Sequence, residues 1–123
     1  MSLPYSELLG LTKEPGETAP ILVMEFGTHL LGRPGFLHGG AIGGLLEMAA
    51  VAALGQALAG EDARFKPINL TVDYMRGGRD KQTRARGMVT RLGTRVANVE
   101  AIAWQDDLDR PIAAARMNYL IVR

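Results

Sequence analysis

FLHGGAIGGLLEMAAVAALGQALAG, running from Phe36 to Gly60, is the stretch that decides the fold. It opens on a histidine and two glycines, then continues for about five helical turns with Glu47 as its only charged residue before Glu61. Val51, Leu54 and Leu58 recur at helical spacing and alanine fills most of the other positions. Nearly every face is therefore apolar, which predicts a helix buried on almost all sides. A carboxylate in such surroundings is costly unless it is paired or hydrogen-bonded. Glu47 is accordingly read either as an ion-pair partner or as a working acid/base.

Outward from the helix, the pattern changes to strands. Ile21 to Phe26 is a short apolar run of strand formers, followed by Gly32-Arg33-Pro34-Gly35, an irregular loop that delivers His38. Pro4 to Leu11 predicts a short helix, a lid or brace anchored by Leu8, Leu9 and Leu11, ahead of the turn-rich Lys13-Glu14-Pro15-Gly16. After the long helix, Pro67 opens a half-buried strand with Ile68, Leu70, Val72 and Tyr74 on one face and Asn69, Thr71 and Asp73 on the other. Gly77-Gly78-Arg79-Asp80 turns the chain into Gln82 to Leu92, where Ala85, Gly87 and Val89 oppose Arg84, Arg86 and Met88. Val96 to Trp104 and Ile112 to Val122 complete a strand, long helix, then four strands in a meander. One apolar helix and one antiparallel sheet bury most surface when the sheet curls round the helix, an α+β hotdog fold over residues 1–123 as a single domain. Small residues such as Gly43, Gly44, Ala49 and Ala53 allow that close approach.

Composition narrows the function classes. A chain of 123 residues is long enough for one real core, and a net charge of +1 gives no reason to expect nucleic acid as a partner. The absence of cysteine excludes disulfides, thiolate metal sites and a cysteine nucleophile, and suits the cytoplasm. MSLPYSELLG has no basic start and no apolar run of the signal-peptide kind. Residues 41–60 approach membrane-spanning length, but Glu47, Gln56 and several Gly and Ala make a poor span, so no membrane is expected. His29 and His38 lack a third ligand at a recognisable spacing, so no metal is expected either.

HGGAIGGLLE, residues 38–47, places an acid seven residues after Gly40. With INLTVDYMRGG (68–78) and RLGTRVANVEA (91–101), it resembles the hotdog thioesterases, specifically the PaaI-like branch associated with phenylacetate and related acyl-CoA metabolism. The resemblance covers roughly Ile21 to Val122. It implies hydrolysis of an acyl-CoA, aromatic acyl groups included, with no cofactor beyond the coenzyme A of the substrate. It places the Gly39 N–H, at the start of the helix beside Gly40, on the thioester oxygen, where free amides and the helix dipole favour negative charge. His38 would orient or polarise the thioester, and Glu47 would act as nucleophile or as the base that activates water. Many relatives carry Asn or Gln where this chain has Gly32, a substrate-side position, and a Ser or Thr supporting the acid where it has Pro67 and Val51.

Spacing adds a constraint of its own. Gly39 and Glu47 are eight residues apart, about 12 Å along a helix, whereas reacting groups must lie within roughly 3–3.5 Å. If both act on one thioester, Glu47 comes from a second subunit with an antiparallel helix, which predicts a two-fold homodimer; the resemblance adds a dimer of dimers. Each residue also has a plainer reading. Glu47 could pair with Arg33 or Arg64; His38 could satisfy a local carbonyl; Gly39 and Gly40 could serve packing. Arg76, Gly77, Gly78 and Arg79, assisted by Gly93, Thr94 and Arg95, are read as a cradle for the coenzyme A phosphates or as solvated turns. Two other functions stay open: a hotdog module that binds acyl-CoA without turnover, and a hotdog dehydratase or hydratase of β-hydroxyacyl thioesters.

Overall fold

The small residues of the central strands determine where the long helix lies. Ala85, Ala97, Ala101, Ala103, Ala113 and Ala115 are all buried on one face of the sheet, and on that alanine floor sit Leu45, Leu46, Ala49, Ala50 and Leu54, each at 0% exposure. Closest approach falls at Gly87. A Cβ there would stand 2.5 Å from the Ala49 carbonyl oxygen and 2.9 Å from the Ala50 Cα, so helix backbone meets strand backbone with no side chain between.

The computed structural model describes residues 4–123. The reading of the first ten residues as free of a leader falls partly on residues 1–3, which lie outside the described residues. In chain order the elements are α1 (Pro4–Leu9), β1 (Leu11–Glu14), β2 (Ile21–Met24), a 3-10 turn (Thr28–Leu30), α2 (Gly39–Ala57), β3 (Arg64–Tyr74), β4 (Thr83–Leu92), β5 (Val96–Trp104) and β6 (Ala113–Val122). The strands form one antiparallel sheet in the order β1-β2-β4-β5-β6-β3, with α2 packed mainly over β4 and β5. This is the expected α+β hotdog arrangement. The helix is long and apolar enough to cross a membrane, and half of it is buried in the core.

Four expectations are corrected. First, β3 does not return as a hairpin with β4: it pairs with β6 at the far edge, and the 75–82 connection passes the ends of β6 and β5 to reach β4, whose other side is taken by β2. The connection is held there by Met75 and Arg76 N–H groups donating to the Ile112 carbonyl (2.8 and 3.2 Å). Second, β3 is not half-buried along its length. As an edge strand it leaves Ile68 and Leu70 exposed together with Asn69, Thr71 and Asp73, and only Val72 and Phe65 are partly covered. Third, Leu11 to Glu14 is a strand rather than helix end and turn. It carries too little apolar sequence to announce itself, and its edge position is fixed by a bidentate pair in which Arg84 Nε and Nη2 donate to Glu14 at 3.0 Å each. That contact holds the Glu14 carboxyl below its ordinary range. Fourth, α1 braces α2 through Leu9 and Tyr5, whose ring fills the space over Gly44, while Leu8 is exposed.

The α2 helix itself is less enclosed than its composition predicts. One stripe, Gly40, Gly43, Glu47, Met48, Val51, Ala52 and Gly55, is only partly covered or open, because the sheet wraps the opposite side. The contact at Gly87 gives a direct check: Gly87→Ala should push helix from sheet and cost about 1–3 kcal/mol in urea unfolding, and an unchanged midpoint would show that the approach is slack.

Candidate active site

The 31–38 loop is built to present His38 at the head of α2. The His38 N–H donates to the Leu30 carbonyl at 2.7 Å, the Leu37 N–H to the Gly78 carbonyl at 2.9 Å, and the Gly32 N–H to the Phe36 carbonyl at 3.0 Å. Residues Ala41 and Ile42 then donate to the His38 carbonyl, which starts the helix. The His38 side chain is its N-cap: Nδ1 accepts from the Gly40 N–H at 2.9 Å. The local partner of the His38 ring is thus an amide N–H rather than the carbonyl expected from the sequence, because the ring caps a helix N-terminus, where donors and not acceptors are orphaned; Nε2 of the exposed ring has no partner among the described residues. No acceptor for the Gly39 N–H is found among the described residues, so this amide is an open donor at the positive end of the helix dipole.

Glu47 lies two turns along α2 on its uncovered stripe, half-buried rather than enclosed. Among the described residues it forms no ion pair, with Arg33, with Arg64 or with any other cation. Its nearest informative neighbour is Tyr119 of β6, 1% exposed, whose hydroxyl donates to the Met117 sulfur at 3.3 Å. Burial first, and then the negative charge of Glu47, push the Tyr119 phenol up to about 12. The carboxylate is therefore within electrostatic reach of Tyr119.

The head of α2 also meets an aromatic residue of β3. Tyr74, at the end of β3, is 54% exposed, its hydroxyl donates to the Gly39 carbonyl at 2.7 Å, and its ring lies over Gly39 with the hydroxyl reaching toward Gly43. Two further residues were overlooked as a unit. The Arg33 and Arg79 guanidinium groups sit 4.2 and 4.5 Å from the centroid of the Phe36 ring, and neither has a carboxylate partner among the described residues.

The remaining candidates are placed less centrally. Gly78 is buried under Leu37, Ile42 and Ile112, and Gly77 lies against the Phe36 ring, so both glycines dock the 75–82 connection onto the His38 loop. Arg76 donates to the Pro111 carbonyl at 3.2 Å and borders a cavity of about 250 Å³ that also contains Asp106 and Asp107. Gly93, Thr94 and Arg95 form the β4–β5 hairpin at the other end of the sheet, where the Arg95 carbonyl accepts from Ile121 at 2.7 Å. Gly32 adjoins His38 so closely that a Cβ would stand 3.1 Å from the His38 Cα. A groove of about 820 Å³ lies on the outer face of the sheet among Arg86, Met88, Glu100 and Arg116, and none of the expected site residues lines it.

An antiparallel sheet curled on one long helix, with an open amide and a capping histidine at the helix head and a lone acid two turns on, defines a hotdog protein. The chain belongs to the thioesterase superfamily, whose family model matches residues 34–112. Solved structures agree over nearly the whole chain. A Chromobacterium violaceum protein is 34% identical, with 97% of this chain and 83% of that one covered and a TM-score of 0.78. A phenylacetic acid degradation-related protein of Ralstonia eutropha is 20% identical (98% and 92% covered, TM-score 0.85). A Bacillus halodurans protein solved with CoA is 17% identical (99% and 80% covered, TM-score 0.87). No curated protein matches the sequence.

The orientation of Glu47 can be checked without a substrate. Removing a negative charge eases ionisation of a nearby phenol, so Glu47→Gln should lower the Tyr119 titration from about 12 in an ultraviolet pH titration. An unmoved curve would place the carboxylate elsewhere.

Proposed function

We propose that this chain is a cytoplasmic acyl-CoA thioesterase, hydrolysing a small or medium acyl-CoA, aromatic ones included, to the free acid and coenzyme A. The observation that carries the reading is the pairing of an unpartnered Glu47 carboxylate with an open Gly39 amide on one helix. Membership of the thioesterase superfamily supports it. The Gly39 N–H would hold the carbonyl oxygen as it gains charge, assisted by the proton on His38 Nε2. Glu47 would then either take a proton from the attacking water and pass it to the departing coenzyme A thiolate, or attack the carbonyl carbon itself, expelling the thiolate to leave an acyl–Glu47 anhydride that a water then hydrolyses to the free acid and the restored carboxylate.

Both groups lie on the same rigid α2, about 12 Å apart along its axis. The site therefore needs Glu47 from a second chain, in a two-fold dimer that covers the open stripe of α2, with a dimer of dimers as a further step of assembly. The coenzyme A phosphates would meet Arg33 and Arg79 on Phe36, with Arg76 beside them. Gly93, Thr94 and Arg95, at the far end of the sheet, would reach a substrate only from another chain.

Thiol release from a panel of acyl-CoAs tests the reading. Glu47→Gln should lower turnover by about 10²–10⁴-fold with the dimer intact in sedimentation, and full residual activity or an active monodisperse monomer would refute it. Tight acyl-CoA binding without thiol release would instead identify a binding module, and hydration of an enoyl-CoA a hydratase. Replacing Arg33 and Arg79 together by Ala should raise KM for acyl-CoA about tenfold but leave KM unchanged for the acyl N-acetylcysteamine thioester, which has no phosphates. Equal effects on both would remove these arginines from phosphate binding.

A further inference from the structure

The two hydrogen bonds at the head of α2 end on one peptide group. Tyr74 donates to the Gly39 carbonyl at 2.7 Å, and the N–H of that same Gly39–Gly40 peptide donates to His38 Nδ1 at 2.9 Å. A peptide whose oxygen accepts a strong bond becomes a better donor through its N–H, so the two contacts reinforce each other. With Nδ1 occupied as an acceptor, a neutral imidazole carries its proton on Nε2, on the ring edge turned away from the helix. Glycine at 40 is required for this closure, since a Cβ there would stand 2.9 Å from Nδ1. Gly32, by contrast, offers no side chain to steady the ring from the other side.

We infer that Tyr74 is a positioning residue which, through the Gly39–Gly40 peptide group, fixes His38 as the Nε2–H tautomer and aims that N–H at the thioester carbonyl beside the Gly39 amide. The first half rests on geometry alone; the second rests on the thioesterase reading. Tyr74 touches no reacting atom. Its hydroxyl sets which nitrogen of His38 is a donor and how tightly the ring is held.

The test is Tyr74→Phe, which keeps the ring over Gly39 and removes only the hydroxyl. Nitrogen-15 imidazole shifts of the wild-type protein should show His38 as the Nε2–H tautomer, and Tyr74→Phe should shift His38 toward a mixture with the Nδ1–H form. Turnover should fall by roughly 3- to 10-fold with KM nearly unchanged, the size of one lost hydrogen bond. The proposal is overturned if wild-type His38 is the Nδ1–H tautomer, a measurement that needs no variant to fold. It is overturned equally if Tyr74→Phe leaves both tautomer and kcat unmoved. A wild-type protein that releases no thiol yet shows the tautomer shift would sink the hydrolase reading and leave the Tyr74 assignment standing.

Discussion

The contact on which the structure depends is backbone against backbone, where Gly87 of β4 passes under Ala49 and Ala50 of α2. With no side chain on either surface to hold them apart, helix and sheet approach as closely as packed main chains allow, and the sheet must curl to keep contact on both sides of that point. The alanines of β5 and β6 extend the same closeness sideways. The helix therefore has one place to lie. From that place its N-terminus falls beside the loop that Leu30 and Gly78 hold by their carbonyls, and the capping histidine and the open amide are positioned by the core rather than by the loop's own stiffness.

The opposite side of the helix has no such cover within one chain. Gly43, Glu47 and Val51 stand partly open, and beyond them the inner face of β3 shows Leu70 and Tyr74, both more than a third exposed. An edge strand with apolar side chains and an apolar helix stripe beside it is a surface that natural proteins normally cover. A two-fold copy laid along this stripe would bring the head of one helix to the middle of the other, and the distance that separates Gly39 from Glu47 within a chain is then bridged between chains. Coverage of a greasy surface and completion of a site become one event.

How much of this was legible in the sequence differs between elements. The extent of α2, the β5 strand and the alternating faces of β4 follow from periodicity and were read correctly, because burial on one face writes itself into every second or fourth residue. Periodicity says nothing about which strands are neighbours. The exchange of β3 from beside β4 to beside β6 is invisible there, since Gly77-Gly78 looks like a hairpin turn and in fact packs against Phe36 and Leu37. Strand β1 was missed for a related reason: what holds it is the Arg84 pair, seventy residues away in sequence. In the site, Glu47 stood out as an anomaly of composition and Gly39 through the family resemblance, whereas Tyr74 did not, because an aromatic at a strand end has many uses and only its distance to one carbonyl distinguishes this one.

The glycines at the head of α2 show where packing within the chain stops being an explanation. Replacing alanine by glycine in a helix costs about 0.8–1 kcal/mol per position, and this helix carries Gly39, Gly40, Gly43 and Gly44 in its first two turns. Two are accounted for by neighbours: a Cβ at Gly44 would lie 2.4 Å from the Tyr5 hydroxyl, and one at Gly40 would press on the His38 ring. Gly39 and Gly43 are not, since a Cβ at either would rest at 3.5 or 3.4 Å from Tyr74, an ordinary contact. Nothing in the chain itself forbids alanine there. On the proposed thioesterase reading, that cost would be met from outside the chain: a carbonyl would reach the Gly39 amide without meeting a methyl group, and a neighbouring helix would pass Gly43 closely enough to deliver its acid.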